Sequence, residues 1–125
     1  MTFDWSQYLS LAKEMAGQAT TPANQEAKLR DATSRAYYAA FILARNHLRD
    51  KEGHTIPTTG DAHKYVWKQF DLSPDPVWQL VANDLKKLRM YRNQADYVDK
   101  FPGLAGITKT AIQLSEEVIS NLSSL

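Results

Sequence analysis

The sequence predicts an all-α fold, an up-and-down bundle of four to five helices, and three observations predict it. Apolar residues recur at three- and four-residue spacing in several segments. Pro and Gly cluster at Thr21-Pro22, Gly53 to Gly60, Ser73-Pro74-Asp75-Pro76 and Phe101-Pro102-Gly103, cutting the chain into about five pieces. No segment shows the two-residue alternation of a half-buried strand with comparable strength.

The first helix is expected from Asp4 to about Gly17, with Asp4 as N-cap and Tyr8, Leu11, Ala12 and Met15 on its apolar stripe. The second starts with Thr21 as cap and Pro22 in the first helical position, where its missing N–H is no loss, and runs to about Asp50. Between Ala36 and Ala44 it reads Ala-Tyr-Tyr-Ala-Ala-Phe-Ile-Leu-Ala, apolar around most of its circumference. The alanines let neighbouring helices approach closely, so this is the central helix of the bundle.

Residues 51–60 form a loop, after which Thr59 or Asp61 caps a short helix ending near Phe70. Asp75-Pro76 opens the fourth helix, with Val77, Leu80, Val81, Leu85, Leu88 and Tyr91 facing the core and Lys86, Lys87, Arg89 and Arg92 near its far end. The fifth runs from Leu104 to about Asn121, with Ile107, Ala111, Leu114, Val118 and Leu122 repeating on one side.

The 125 residues, 43% of them hydrophobic, are expected to form a single domain over 1–125. A chain of this length buries about two-thirds of its unfolded surface and needs no metal or disulfide to hold a core. The absence of Cys removes thiol catalysis, disulfide scaffolds and cysteine zinc sites. Fifteen Lys and Arg against 14 Asp and Glu give a net charge of +1, too small for a bulk electrostatic footprint, so any nucleic-acid site must be local. The start, Met1-Thr2-Phe3-Asp4-Trp5, lacks the pattern of a signal peptide, and Ala36 to Ala44 is too short to span a bilayer. A cytoplasmic protein without membrane partners is expected.

The richest candidate for chemistry is Leu88-Arg89-Met90-Tyr91-Arg92-Asn93-Gln94-Ala95-Asp96-Tyr97. On a helix Arg89, Arg92 and Asp96 share one face, Arg92 can pair with Asp96, and Asn93 lies alongside. Guanidinium groups take phosphate through paired donors, and a neighbouring carboxylate can fix their orientation. The bland alternative is an ordinary solvated, salt-bridged helix end. A second polar strip, Asp31, Ser34, Arg35 and Tyr38, lies on the central helix; its bland reading is an Arg35–Asp31 pair and Tyr hydroxyls at the rim of the core.

The three histidines, His47, His54 and His63, do not sit at metal-ligand spacing, so neither a metal nor another cofactor is expected. His63 is the best candidate for proton transfer, since a pKa near 6.5 suits acid–base work and it opens a short helix after a loop. There is no glycine-rich phosphate loop and no Gly-x-Ser-x-Gly elbow.

In order along the chain, Ser34-Arg35-Ala36-Tyr37-Tyr38-Ala39-Ala40-Phe41, then Ala62-His63-Lys64, then Arg89-Met90-Tyr91-Arg92-Asn93-Gln94-Ala95-Asp96-Tyr97 resemble the HEPN family of small all-helical prokaryotic domains. The closest likeness is to the branch with a Ser-Arg-Ala-Tyr-Tyr-Ala signature and an Arg-rich helix ending in Ala-Asp-Tyr. The resemblance implies a HEPN-like bundle that forms a homodimer, with a cleft lined by the Arg motif of both copies. It also implies RNA or nucleotide binding, because many members are metal-independent endoribonucleases, often toxins paired with a small nucleotidyltransferase antitoxin.

Their motif is Arg, a polar residue often Asn, a few spacers, then His. Arg92-Asn93 matches its start, whereas the position of the His falls in Asp96-Tyr97. The resulting expectation assigns Arg92, Asn93 and His63 to catalysis and Arg35, Tyr38, Arg89, Asp96 and Tyr97 to binding. Tyr97 also fits the Tyr near the motif that the antitoxin modifies in related pairs. The alternative is a non-catalytic dimeric helical module that partners a nucleotidyltransferase.

Overall fold

In the computed structural model, which describes residues 3–18 and 22–125, the chain forms α1 (Gln7–Gln18), α2 (Pro22–Asp50), α3 (Ala62–Asp71), α4 (Pro76–Tyr97) and α5 (Leu104–Ser123). No strand occurs among the described residues. The expected cap Thr21 lies outside them.

α2 is the axis of the molecule and packs against all four other helices. Its side chains explain why. Ala32, Ala36, Ala39, Ala40 and Ala44 are all fully buried, and Tyr37, Phe41, Ile42 and Leu48 fill the spaces between. Small residues let the helix axes come close, and the large ones interlock with Val66 and Phe70 of α3, Val81, Leu85 and Leu88 of α4, and Ala111 and Val118 of α5.

The directions of the helices follow from their side-chain links. Arg35 near the middle of α2 lies over Tyr8 of α1, while Lys28 near its start reaches the Gln18 carbonyl, so α1 and α2 are antiparallel. His47, near the end of α2, meets Trp78 at the start of α4, and Arg30 meets the end of α4, so these two are antiparallel as well. Thr33 in the first half of α2 pairs with Thr108 near the start of α5 at 2.9 Å. Asn46 and Asp50 near the end of α2 line one depression with Ile119 and Leu122 near the end of α5, so these two run parallel. The four long helices thus run up, down, up and down, with α3 as a short excursion between α2 and α4.

Several boundaries have visible causes. The Asp75 carboxylate accepts the Val77 N–H at 2.8 Å, with Pro76 next to it, and caps α4 as expected. Gly103, at φ 72°, takes the left-handed turn that leads into α5. α1 departs from expectation. The Asp4 carboxylate accepts the Ser6 N–H at 3.0 Å and the Ser6 hydroxyl at 2.6 Å, holding a lead-in turn, and the α-helix begins only at Gln7. Asp61 occupies the cap position of α3 without a side-chain bond; the Thr59 hydroxyl instead accepts the Asp61 N–H.

Two residues expected in the core are outside it. Leu11 is exposed because α1 turns Ala12 inward, and Leu80 is exposed because Val81 and Ala82 take the contact with the bundle. Asp84 is buried in their place on α4. No helix of the described residues is long and apolar enough to cross a membrane.

Candidate functional site

The C-terminal half of α4 lies against the first half of α2, and the polar residues of both helices converge there. The Arg92 Nε stands 2.9 Å from Asp96 Oδ2, one helical turn on, as the spacing predicts. Its Nη1 donates to Asn93 Oδ1 at 3.0 Å and its Nη2 to the Tyr38 hydroxyl at 2.8 Å. The guanidinium lies 5.2 Å from the Tyr38 ring centre and 5.6 Å from that of Tyr97. Ser34 of α2 donates to Asp96 Oδ2 at 3.4 Å, a long bond that ties the carboxylate to the second helix.

A guanidinium has five N–H donors. The two hydrogen bonds engage one donor on each terminal nitrogen and Nε pairs with Asp96 by charge without a hydrogen bond, so one N–H remains on each terminal nitrogen for a ligand oxygen. The Arg92 side chain is only 17% exposed and is oriented on three sides, which separates it from a freely solvated helix end.

His63 belongs to the same neighbourhood. It stacks on Phe41 at 4.4 Å between ring centres, with Tyr37 parallel at 5.7 Å and the edge of Tyr38 at 6.3 Å. Its Nδ1 is hydrogen-bonded to the Tyr37 hydroxyl. Burial pushes the imidazole pKa below its ordinary value, and the positive charges of Arg89 and Arg92 push it further in the same direction, so His63 is neutral at pH 7. Burial raises the Tyr37 pKa well above that of a free tyrosine, against the opposing pull of Arg89 and Arg92. The protonated hydroxyl can take either role in this bond, as donor when the ring proton is on Nε2 and as acceptor when it is on Nδ1.

The expected site residues are therefore brought together unequally. Arg92 touches Asn93, Asp96 and Tyr38, Tyr97 flanks it with 72% of its surface exposed, and Arg89 acts on His63 and Tyr37 through its charge. Arg35 is not drawn to Arg92. It faces α1, 3.6 Å from Asp31 and with its guanidinium 5.2 Å from the Tyr8 ring centre. The polar strip of α2 thus divides, with Ser34 and Tyr38 turned to α4 and Asp31 and Arg35 to α1.

Two residues of this region are not among the expected site residues. Tyr37 reads as core from its apolar surroundings, and its contact with His63 spans 26 positions. Arg30 donates to the Ala95 and Asp99 carbonyls, both at 2.9 Å, and so anchors the end of α4 on which Asp96 and Tyr97 sit. Among the described residues no group of three His, Asp or Glu lies together where it could hold a metal.

Comparison with known proteins adds one finding. A family model described as HEPN domain matches residues 7–125. No curated protein and no solved structure matches the chain.

Proposed function

Because the chain belongs to the HEPN domain family, we propose that the cluster around Arg92 binds the phosphates of RNA or of a nucleotide, in the manner of the toxin-like half of a toxin–antitoxin pair. The observation that carries this reading is Arg92 itself, fixed by Asp96, Asn93 and Tyr38 with one N–H left on each terminal nitrogen. Arg89 adds a second positive charge, and His63 with its proton on Nε2 offers a further donor. A homodimer would set two such clusters across one cleft. The exposed Tyr97, whose ring lies 5.6 Å from the Arg92 guanidinium, is the apolar surface that supports this arrangement.

Metal-independent cleavage is the second reading, and His63 favours it. An imidazole with a depressed pKa is unprotonated at neutral pH, as a base for the 2′-hydroxyl must be. That role requires the other tautomer, in which Nδ1–H donates to the Tyr37 oxygen and Nε2 is free to accept a proton. The non-catalytic module that partners a nucleotidyltransferase differs in assigning the same residues to an interface.

The test uses the purified protein and its Arg92→Gln variant with total RNA in EDTA, circular dichroism confirming that both are folded. Binding by the parent protein that falls about 100-fold in the variant supports phosphate recognition. Cleavage lost in the variant and in His63→Ala establishes the nuclease. A folded Arg92→Gln protein that binds RNA as well as the parent overturns the proposal. If instead the variant loses its dimer and RNA binds neither protein, the module reading replaces it.

A further inference from the structure

A cavity of about 610 Å³ opens on the side of His63 away from the α4 cluster, between the second half of α2 and the loop that leads to α3. Arg45 and Arg49, one turn apart on α2, stand on one wall, and His54, Thr58 and His63 lie around the rest. We propose that this cavity is a second phosphate subsite of the same RNA-binding surface, with Arg45 as its principal cation and His63 as the wall shared by the two subsites. This inference rests on the phosphate-binding reading of the Arg92 cluster and extends it along the strand.

Three observations support an anion here. The first is the state of Arg45, whose Nε and Nη2 both donate to the neutral side-chain oxygen of Asn46, at 3.1 and 3.0 Å. Its pKa is lowered, first by burial and then by the charge of Arg49, with Asp50 opposing. Two like charges one turn apart on a helix destabilise it, and an anion held between them would offset both the repulsion and the hydration lost on burial.

The second is the lining, which contains no carboxylate. Asp50 pairs with Arg49 through Nε at 2.8 Å and Nη2 at 3.1 Å, but it lines a separate depression with His47 and Lys51. Arg45 is therefore the cation with charge left to offer. The depression between α4 and α5 has the opposite character, since Glu116 and Glu117 line it, and it would repel the same ligand.

The third is register. Tyr38, which holds Arg92, and Arg45 are seven residues apart on one continuous helix, about 10 Å along its axis. His63 contacts the ring of Tyr38 on one side and lines the cavity on the other. A strand whose phosphate sits on Arg92 can therefore continue over His63 toward Arg45 without crossing a negatively charged wall. His54 holds its orientation through Nδ1 and the Tyr65 hydroxyl, 2.7 Å away, and turns its ring to the same space.

The experiment measures binding of a single-stranded RNA oligonucleotide across a series of salt concentrations by the parent protein, Arg45→Gln, the double variant Arg45→Gln/Arg49→Gln, and Arg92→Gln. Each lost phosphate contact on a single strand should lower the slope of log K against log salt by about 0.7. Arg45→Gln is expected to lose that slope and about tenfold in affinity at low salt, and the double variant no less. Circular dichroism shows that each variant is folded. If both Arg45 variants match the parent in affinity and slope while Arg92→Gln loses both, the second subsite is wrong and the first reading stands. If Arg92→Gln matches the parent while the Arg45 variants lose affinity, the cavity binds RNA by itself, and both the α4 site and the pairing of two subsites proposed here are overturned. A parent protein that binds no RNA overturns both.

Discussion

Helix α4 carries two ionic groups, eight residues apart, whose surroundings differ in every respect that matters. Asp84 faces α5, is 6% exposed, and keeps Oδ2 buried without a hydrogen-bond partner among the described residues. Arg92 faces α2 with its guanidinium held by hydrogen bonds to Asn93 and Tyr38 and by the charge of Asp96, 2.9 Å from an Nε that is itself buried without a hydrogen bond. Burial, with the nearby Glu117 carboxyl acting in the same direction and Lys87 against it, raises the Asp84 pKa to about 6. The comparison separates two uses of a buried charge. A carboxylate left near a like charge weakens the bundle at neutral pH, whereas a cation with a partner on each side is ordered and still offers donors to a ligand.

Removing each charge should therefore move stability in opposite directions. Arg92→Gln leaves Asp96 without its cation and Tyr38 without its donor, and is expected to cost about 2 kcal/mol, read from urea unfolding at pH 7. Asp84→Asn should stabilise the protein by about 1–2 kcal/mol at pH 7, because the neutral amide removes the buried charge while filling the same volume. The pH dependence fixes the cause. The folded pKa of Asp84 lies above its unfolded value of 3.8, so the stability it contributes is present below pH 3.8 and is lost as pH rises through about 6. The gain in Asp84→Asn must then fade toward pH 4. Equal signs for the two variants would erase the distinction between the two ends of α4.

Much of this contrast was legible in the sequence on one side only. The i, i+4 spacing of Arg92 and Asp96 predicted their pair, and the Ala-rich run of α2 predicted the central helix, because both depend on periodicity within a single element. Asp84 carried no such signal: its burial depends on how α4 rotates against α5, which also exposes Leu80 where the apolar pattern placed it in the core. Likewise Arg35 and Tyr38 share a strip on the helical wheel, yet α1 claims the first and α4 the second. Contacts such as Tyr37 with His63, or Arg30 with the end of α4, arise only once the helices are assembled.

The Tyr37–His63 contact tests the ordered side of the comparison with a smaller effect. Tyr37→Phe removes one hydroxyl and leaves Nδ1 of a half-buried imidazole without its hydrogen-bond partner, at an expected cost of about 1 kcal/mol. A hydrogen bond to neutral imidazole favours the neutral form, so its loss should move the His63 titration, followed by NMR, up toward 6.5. The folded pKa of His63 lies below its unfolded value, so the native state loses stability as pH falls below about 6.5; in Tyr37→Phe that loss should be shallower. An unchanged titration would show that burial and the arginine charges alone set the value.

The smallest effect distinguishes the two causes at Asp84. Glu117 is exposed, so Glu117→Gln removes a like charge without opening the core. Burial is the largest single cause at Asp84 and persists in this variant, so the Asp84 midpoint, followed by NMR of the side-chain carboxyl, should fall below about 6 while staying above 3.8. The matching gain in stability at pH 7 is about 0.5 kcal/mol, less than that of Asp84→Asn. A midpoint that drops all the way to 3.8 would mean that charge repulsion, and not the dry contact between α4 and α5, governs Asp84. Its contrast with Arg92 would then be one of neighbouring charges alone, and burial would no longer separate the two ends of the helix.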